Sequence, residues 1–188
     1  MAKVIYSFGV SLDGFVEASD RSLDWTVADE ETLRLVNSRH ADVGAFLYGR
    51  RLYENMAAYW PTPQANDPAN PPYFLEWARI WRAMPKVVFS NTLQSVEWNS
   101  RLVRGDAAEE VARLKARPGK DLSVGGATLA ASLIKRDLID VYELRIHPVI
   151  LGGGTPYLPR LDRRLDLELT ETQRLQSGVV RMRYERRR

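Results

Sequence analysis

The stretch Asp121-Leu-Ser-Val-Gly-Gly-Ala-Thr-Leu-Ala-Ala-Ser-Leu133 predicts a strand, a glycine turn and the start of a helix. Leu122 and Val124 suit a buried strand, and the pair Gly125-Gly126 lets the backbone turn sharply. Thr128 is the predicted cap of the helix that follows. Such a junction directs free N–H groups and a positive helix end at one point, which favours a phosphate. From these residues alone, phosphate binding and close packing of helix on sheet are equally good interpretations.

The composition indicates one globular domain over residues 1–188. An apolar fraction of 45% with 10% aromatic residues excludes a disordered chain. The absence of cysteine excludes disulfides and thiol chemistry, and with only His40 and His147 present we expect no metal site. No apolar run has the length of a membrane span and no signal-peptide pattern is present, so we expect a cytoplasmic protein without membrane contact.

The net charge is +3, and five arginines lie within the last eight residues. This basic end lacks aromatic stacking platforms and a recognition helix, so it indicates a solvated strand and no nucleic-acid partner.

Strand and helix patterns alternate through most of the chain. Strands are predicted at 3–10, 45–48, 86–90, 121–124 and 140–150, and helices from residue 28, at 50–56, 73–84, 107–117 and from 128. A segment at 96–103 predicts an edge strand, and 165–169 with 179–184 predict a closing antiparallel hairpin. The order predicts an α/β fold, a three-layer αβα sandwich whose mainly parallel mixed sheet has an antiparallel C-terminal edge.

Three predicted strand ends carry polar or glycine-rich residues: Gly49-Arg50-Arg51, Ser90-Asn91-Thr92 and Gly125-Gly126-Ala127-Thr128. In a parallel sheet these ends lie along one edge, where open α/β folds bind ligands. Two arginines at a helix start can hold a phosphate through forked, charge-assisted hydrogen bonds. Each signal has an ordinary alternative, as surface arginines or turn residues, but together they favour a phosphate-bearing ligand.

As a set, five stretches resemble the dihydrofolate reductase-like superfamily, in particular the reductase domain of the bifunctional riboflavin-biosynthesis deaminase/reductase. They are Ser11-Leu-Asp-Gly-Phe15, Gly49-Arg-Arg-Leu-Tyr-Glu54, Lys86-Val-Val-Phe-Ser90, Gly125-Gly-Ala-Thr-Leu129 and Pro148-Val-Ile-Leu-Gly-Gly-Gly-Thr155. They occur in the family's order across nearly the whole chain.

The resemblance implies NADPH as cofactor. The positions that match cofactor contacts are Val10, Gly49, Arg50, Arg51, Leu52, Ser90, Asn91, Thr92, Gly125, Gly126, Ala127, Thr128 and Leu129. Leu52 stands where dihydrofolate reductases usually have threonine, which removes one hydroxyl donor. Ser11, Phe15, Trp25 and Tyr53 are the predicted substrate contacts.

Three acidic residues are candidates for the catalytic group. Dihydrofolate reductases place a carboxylate on a helix that follows a tryptophan, and Trp25-Thr-Val-Ala-Asp-Glu30 resembles that arrangement through Asp29 or Glu30. Asp13 is the third candidate. The alternative for Asp29 and Glu30 is that they stabilise the helix dipole, and for Asp13 that it shapes its turn.

Two hypotheses on function follow. The first is an NADPH-dependent reductase that transfers hydride to a small heterocycle such as a pteridine or an aminopyrimidinone. The second is a nucleotide- or small-ligand-binding protein on the same scaffold without turnover. Under either one we expect a homodimer formed through the strand at 140–150 and the hairpin at 165–184.

Overall fold

The computed structural model describes residues 2–187, and its strands and helices follow one another in α/β order. The strands are β1 Val4–Ser11, β2 Phe15–Glu17, β3 Val43–Gly49, β4 Lys86–Phe89, β5 Ser100–Val103, β6 Asp121–Gly125, β7 Val141–His147, β8 Thr155–Pro156, β9 Leu167–Arg174 and β10 Val180–Arg186. The helices are α1 Glu30–Arg39, α2 Arg50–Tyr59, α3 Pro72–Ala83, α4 Ala107–Ala116 and α5 Ala127–Lys135, and a 3-10 turn spans His40–Asp42.

Eight strands form one mixed sheet in the order β5-β4-β3-β6-β1-β7-β10-β9. The first six are parallel to their neighbours, and β10 pairs antiparallel with both β7 and β9. The predicted fold class, a mainly parallel sheet with an antiparallel C-terminal edge, is confirmed. The homodimer through this edge stays a prediction.

Apolar cores cover both faces of the sheet, because strand residues alternate between them. In β3, Leu47 joins the core beneath α4 and α5, whereas Phe46 and Tyr48 join the core that includes Trp77 and Trp81 of α3. The second face changes character along the sheet. Beneath α1, strands β1, β7 and β10 present polar and charged side chains instead of apolar ones.

The structure corrects several predicted boundaries. The edge strand β5 starts only at Ser100, because Trp98 and Asn99 have φ values of 60° and 54° and cannot extend a strand. Strand β7 ends at His147, and the next residue is Pro148, which has no N–H to donate to a ladder. Thr128 is not a helix cap, because α5 begins one residue after Gly126. The pairing of β2 with β8 was not predicted.

Candidate functional site

Two helices begin side by side at one edge of the sheet. Strands β3 and β6 are parallel neighbours, with Tyr48 opposite Gly125. Helix α2 follows β3 with Gly49 as its N-cap, and α5 follows β6 with Gly126 as its N-cap. Neither N-cap residue supplies a side-chain hydrogen bond, so the first N–H groups of both helices remain open.

A cavity of about 470 Å³ lies at these two helix ends. Its walls are Phe8, Val16, Glu17, Leu23, Gly49, Arg50, Arg51, Leu52, Asn55, Phe89, Gly126, Ala127, Thr128, Leu129 and Ser132. We call this cavity the cleft. Eight predicted cofactor residues are therefore brought together: positions 49–52 and 126–129.

Gly125 and Gly126 are each required in the turn, but for different structural reasons. A Cβ on Gly125 would lie 2.4 Å from Cδ2 of Leu52 and 2.8 Å from the Tyr48 ring, so this glycine permits close packing. Gly126 has a φ of 98°, which residues with a side chain rarely adopt. A Cβ at this position would not clash with its neighbours, so the backbone conformation is the reason for this glycine. Packing thus accounts for Gly125, and phosphate binding at this turn stays a prediction. Leu52 fills the space beside Gly125.

The two arginines at the start of α2 differ in their partners. The Arg51 guanidinium donates to Glu17 of β2 at 2.5 Å, and Thr155 of β8 donates to the same carboxylate oxygen at 2.6 Å. Among residues 2–187 the one ion pair of Arg50 is with Glu54, at 3.7 Å, and its side chain is 55% exposed. Arg51 therefore ties α2 to the β2–β8 ribbon, whereas Arg50 is available to a ligand.

The loop between β1 and β2 is held by its own polar residues. The Phe15 N–H donates to Ser11 Oγ at 3.0 Å, and Ser11 is buried. The Asp13 carboxylate accepts from the N–H groups of Leu151 and Gly152 at 3.1 and 2.8 Å. Hydrogen bonds from the Ser11 side chain and from these two N–H groups lower the pKa of Asp13. The ionised Asp13 carboxylate thus holds the glycine loop that contains Leu151 and Gly152 in place.

The other two candidate acids lie at the start of α1. Asp29 is the N-cap, and its carboxylate accepts from the Thr32 N–H at 2.8 Å. The hydrogen bond from Thr32 is the main cause that lowers the pKa of Asp29, and the electrostatic influence of His147 adds to it. Glu30 is exposed and pairs with Arg34 at 2.8 Å, one turn along the helix. Both acids thus lie where they interact favourably with the dipole of α1. Asp29 is the one of the two that lies beside buried polar residues, Thr32 and His147.

His147 is a residue of this region that the sequence analysis did not assign to the site. Its ring is buried, its Nδ1 accepts from the Val27 N–H at 3.1 Å, and it meets Trp25 edge-on with ring centroids 5.4 Å apart. Burial, assisted by Arg145, lowers the pKa of His147 to about 4. A Cβ on Gly9 would lie 3.0 Å from Nε2. Because Nδ1 accepts a hydrogen bond, the neutral ring carries its proton on Nε2, and no pattern in the sequence indicates the contact with Gly9.

Several predicted contacts lie outside the cleft lining. Ser90 Oγ accepts from the N–H groups of Thr92 and Leu93 at 3.2 and 3.0 Å, and Asn91 accepts from Gly105 N–H at 3.0 Å. These residues shape the loop after β4, while Phe89 faces the cleft.

Tyr53 and Val10 are buried in the core, and Trp25 donates from Nε1 to the Ser22 carbonyl at 3.2 Å. The Tyr53 hydroxyl accepts from Glu97 N–H at 2.7 Å, which directs it away from the cleft.

Within residues 2–187 no cluster of three or more acidic or histidine side chains is arranged to hold a metal ion. No helix in the same range has the length and apolar character needed to cross a membrane.

The fold is that of dihydrofolate reductase. Dihydrofolate reductase from Enterococcus faecalis, in complex with NADP(H), superposes with a TM-score of 0.62 at 12% identity, covering 99% of this chain and 97% of that one. A putative riboflavin biosynthesis protein from Shewanella sp. PV-4 superposes with a TM-score of 0.76 at 24% identity, covering both chains fully.

Within this fold, the chain belongs to the RibD C-terminal domain family, whose pattern it matches over residues 2–181. The uncharacterized protein YyaP of Bacillus subtilis is 31% identical over 185 residues, which are 97% of this chain and 94% of YyaP. The family and the fold are those of reductases.

Proposed function

We propose that the protein is an NADPH-dependent reductase of a small heterocyclic substrate, a pteridine, an aminopyrimidinone or a relative of these. The observation that carries the proposal is the convergence of two glycine-capped helices, α2 and α5, on one cavity beside Arg50, whose one ion pair is long and exposed. Open N–H groups at a helix start bind anions, and a pyrophosphate is the anion that a dinucleotide brings.

The cleft has the features that such a cofactor requires. In the first turn of α5 the N–H groups of Ala127, Thr128 and Leu129 have no intrahelical acceptor, and no side chain caps them. Arg50 is a candidate partner for an additional phosphate, such as the 2′-phosphate that distinguishes NADPH from NADH. The volume, about 470 Å³, is within the range of small-molecule sites. When bound, NADPH supplies the hydride.

The chain's own residues then position the substrate and exclude water. The β2–β8 ribbon borders the cleft through Val16 and Glu17, and the Arg51–Glu17 ion pair ties it to α2. Asp29, an anion fixed at the start of α1, is the group we assign to orient the heterocycle by accepting a ring N–H. A carboxylate held in this form is a poor proton donor, so the proton reaches the substrate through water.

Oxidation of NADPH, followed by its near-ultraviolet absorbance, tests the proposal with dihydrofolate and aminopyrimidinones as substrates. Turnover that falls at least about tenfold in Asp29→Asn, with the unfolding midpoint unchanged, would support the assigned role, since asparagine caps a helix as well as aspartate. Turnover that is unaffected by this change would remove Asp29 from the mechanism.

One observation favours a second function, binding without turnover. Each candidate acid already has a structural partner: Asp13 in the glycine loop, Asp29 at the helix cap and Glu30 in an ion pair with Arg34. A protein that binds NADPH but oxidises it with none of the substrates, while Asp29→Asn leaves binding unchanged, would match this alternative.

A further inference from the structure

A second cavity lies beneath α1, on the sheet face where β1, β7 and β10 present polar side chains. It has a volume of about 120 Å³, and its walls are Ile5, Ser7, Leu35, Val36, Arg39, His40, Asp42, Val43, Asp121, Ser123, Glu143, Arg145 and Arg183. We call it the α1 cavity. It shares no lining residue with the cleft, so a ligand in one does not occupy the walls of the other.

Ion pairs beneath α1 engage three of four guanidinium groups. Arg39, Arg181 and Arg183 pair with Glu143 or Glu171, whereas Arg145 pairs with neither. Arg181 is only 1% exposed and lies 2.6 Å from Glu143 and 2.8 Å from Glu171.

Other acidic groups lie nearby, and none of those described forms an ion pair with Arg145. Glu185 is 4.0 Å from Arg183 but only 2.8 Å from Lys3, which neutralises it. Asp121 accepts from the backbone N–H of Lys3 at 2.7 Å, and Asp42 is exposed to solvent. The two histidines of this face add no charge at neutral pH, since burial lowers the pKa of each to about 4.

Arg145 is the one of these four arginines that lies outside the ion pairs with Glu143 and Glu171. Its one hydrogen bond among the described residues is from Nη1 to Ser7 Oγ, at 2.8 Å, and it forms no ion pair with a described carboxylate. A guanidinium has five N–H donors, and a cation removed from water without a partner is costly. Burial accordingly lowers the pKa of Arg145. The Ser123 hydroxyl, also on the cavity wall, has no hydrogen-bond partner within residues 2–187.

We propose that the α1 cavity binds a small oxyanion, a carboxylate or a phosphate group, through the Arg145 guanidinium and the Ser123 hydroxyl. The Ser7 hydroxyl accepts from Arg145 and donates to Glu143 at 3.2 Å, so it orients the guanidinium. The planar fork of arginine matches two oxygens of either group. The volume holds a few water molecules or one such anion, and an anion at this place gives Arg145 the charged partner that the described residues do not provide.

Thermal unfolding in inorganic phosphate, in acetate and in chloride of equal ionic strength tests the proposal. Since phosphate also suits the open helix ends of the cleft, Arg50→Met serves as the control for that site. We expect phosphate or acetate to raise the midpoint of the wild type and of Arg50→Met by about 3 °C at a concentration ten times the dissociation constant. Arg145→Met, made in the Arg50→Met background so that the cleft is weakened as well, should show no such rise. The anion with the larger rise identifies the group that the cavity prefers.

A rise that persists in Arg145→Met in that background, or its absence in the wild type, would overturn the proposal. Because Arg145→Met can fail to fold, a crystal structure of the wild type grown in phosphate or acetate gives an independent readout. Density for the oxyanion against Arg145 supports the site, and water alone at that position refutes it.

Discussion

Two helices of this protein begin at aspartate and two begin at glycine, and the difference coincides with the cleft. Asp29 and Asp106 close the starts of α1 and α4, each accepting one backbone N–H at 2.8 Å. Gly49 and Gly126 leave the starts of α2 and α5 without a side-chain cap. A cap stabilises a helix by about 1 kcal/mol. The protein omits this contribution at the two helix starts that border the cleft, where a phosphate can replace it.

The largest effect is expected for Gly126→Ala. A side chain at φ of 98° strains the turn or rotates the α5 N–H groups away from the cleft, so NADPH affinity should fall by about 100-fold or more. Gly105→Ala is the matched control, because Gly105 has φ of 89° with open space around it and precedes the capped helix α4. Calorimetric titration should show normal NADPH binding in Gly105→Ala, although both variants unfold at lower temperature. Equal affinity in the two variants would break the comparison.

Acidification should affect the α1 side and leave the cleft unchanged. His40 and His147 have folded pKa values of about 4 against an ordinary 6.5, so the unfolded chain binds more protons between these values. The free energy of unfolding should therefore fall as pH drops from 6.5 towards 4, by up to about 1.4 kcal/mol per pH unit for each histidine.

Urea unfolding at several pH values measures this slope. The variant His147→Gln keeps an acceptor for the Val27 N–H and should show roughly half of it between pH 6.5 and 5. A slope that is the same in wild type and His147→Gln would show that this ring titrates normally.

A smaller effect separates the two arginines of α2. Arg50→Met should weaken NADPH binding by about tenfold and leave NADH binding unchanged, because a single phosphate contact is lost. Arg51→Met should have less effect on the preference for NADPH over NADH, since its guanidinium is engaged by Glu17. Titration of both variants with both cofactors gives the two ratios. The reverse ranking would mean that the Arg51–Glu17 pair opens on binding.

The smallest effect is expected at the capped helix α4. Asp106→Ala should lower the free energy of unfolding by about 1 kcal/mol through loss of the cap. NADPH affinity should not change, because α4 contributes no residue to the cleft lining. Denaturant unfolding and calorimetry on the same preparation check both statements, and a loss of affinity would contradict the separation of capped from open helices.

The fold could be predicted largely from the sequence because its units are local. A strand, a glycine turn and an apolar helix face within 13 residues, as in 121–133, fix one crossover, and several such units in sequence predict a parallel sheet. The ribbon of β2 and β8 could not be predicted, because strands of three and two residues are too short to show a periodic pattern. Its partners are also separated by most of the chain.

The site was predictable where a residue acts through its backbone and less so where its partner is distant. The positions 49–52 and 126–129 line the cleft as expected from the glycine turns. Nothing in the sequence shows that Arg51 meets Glu17, or that His147 lies against Gly9, since these contacts join separate strands and helices. The polar face of β7 was visible as an alternation, but the α1 cavity also depends on arginines from two further elements, α1 and β10.

Calorimetric titration of the wild-type protein with NADPH and with NADH tests the central claim most directly. The open starts of α2 and α5 and the exposed Arg50 predict that one NADPH binds per chain, and more tightly than NADH. Failure of both cofactors to bind would contradict the assignment of the cleft as a dinucleotide site.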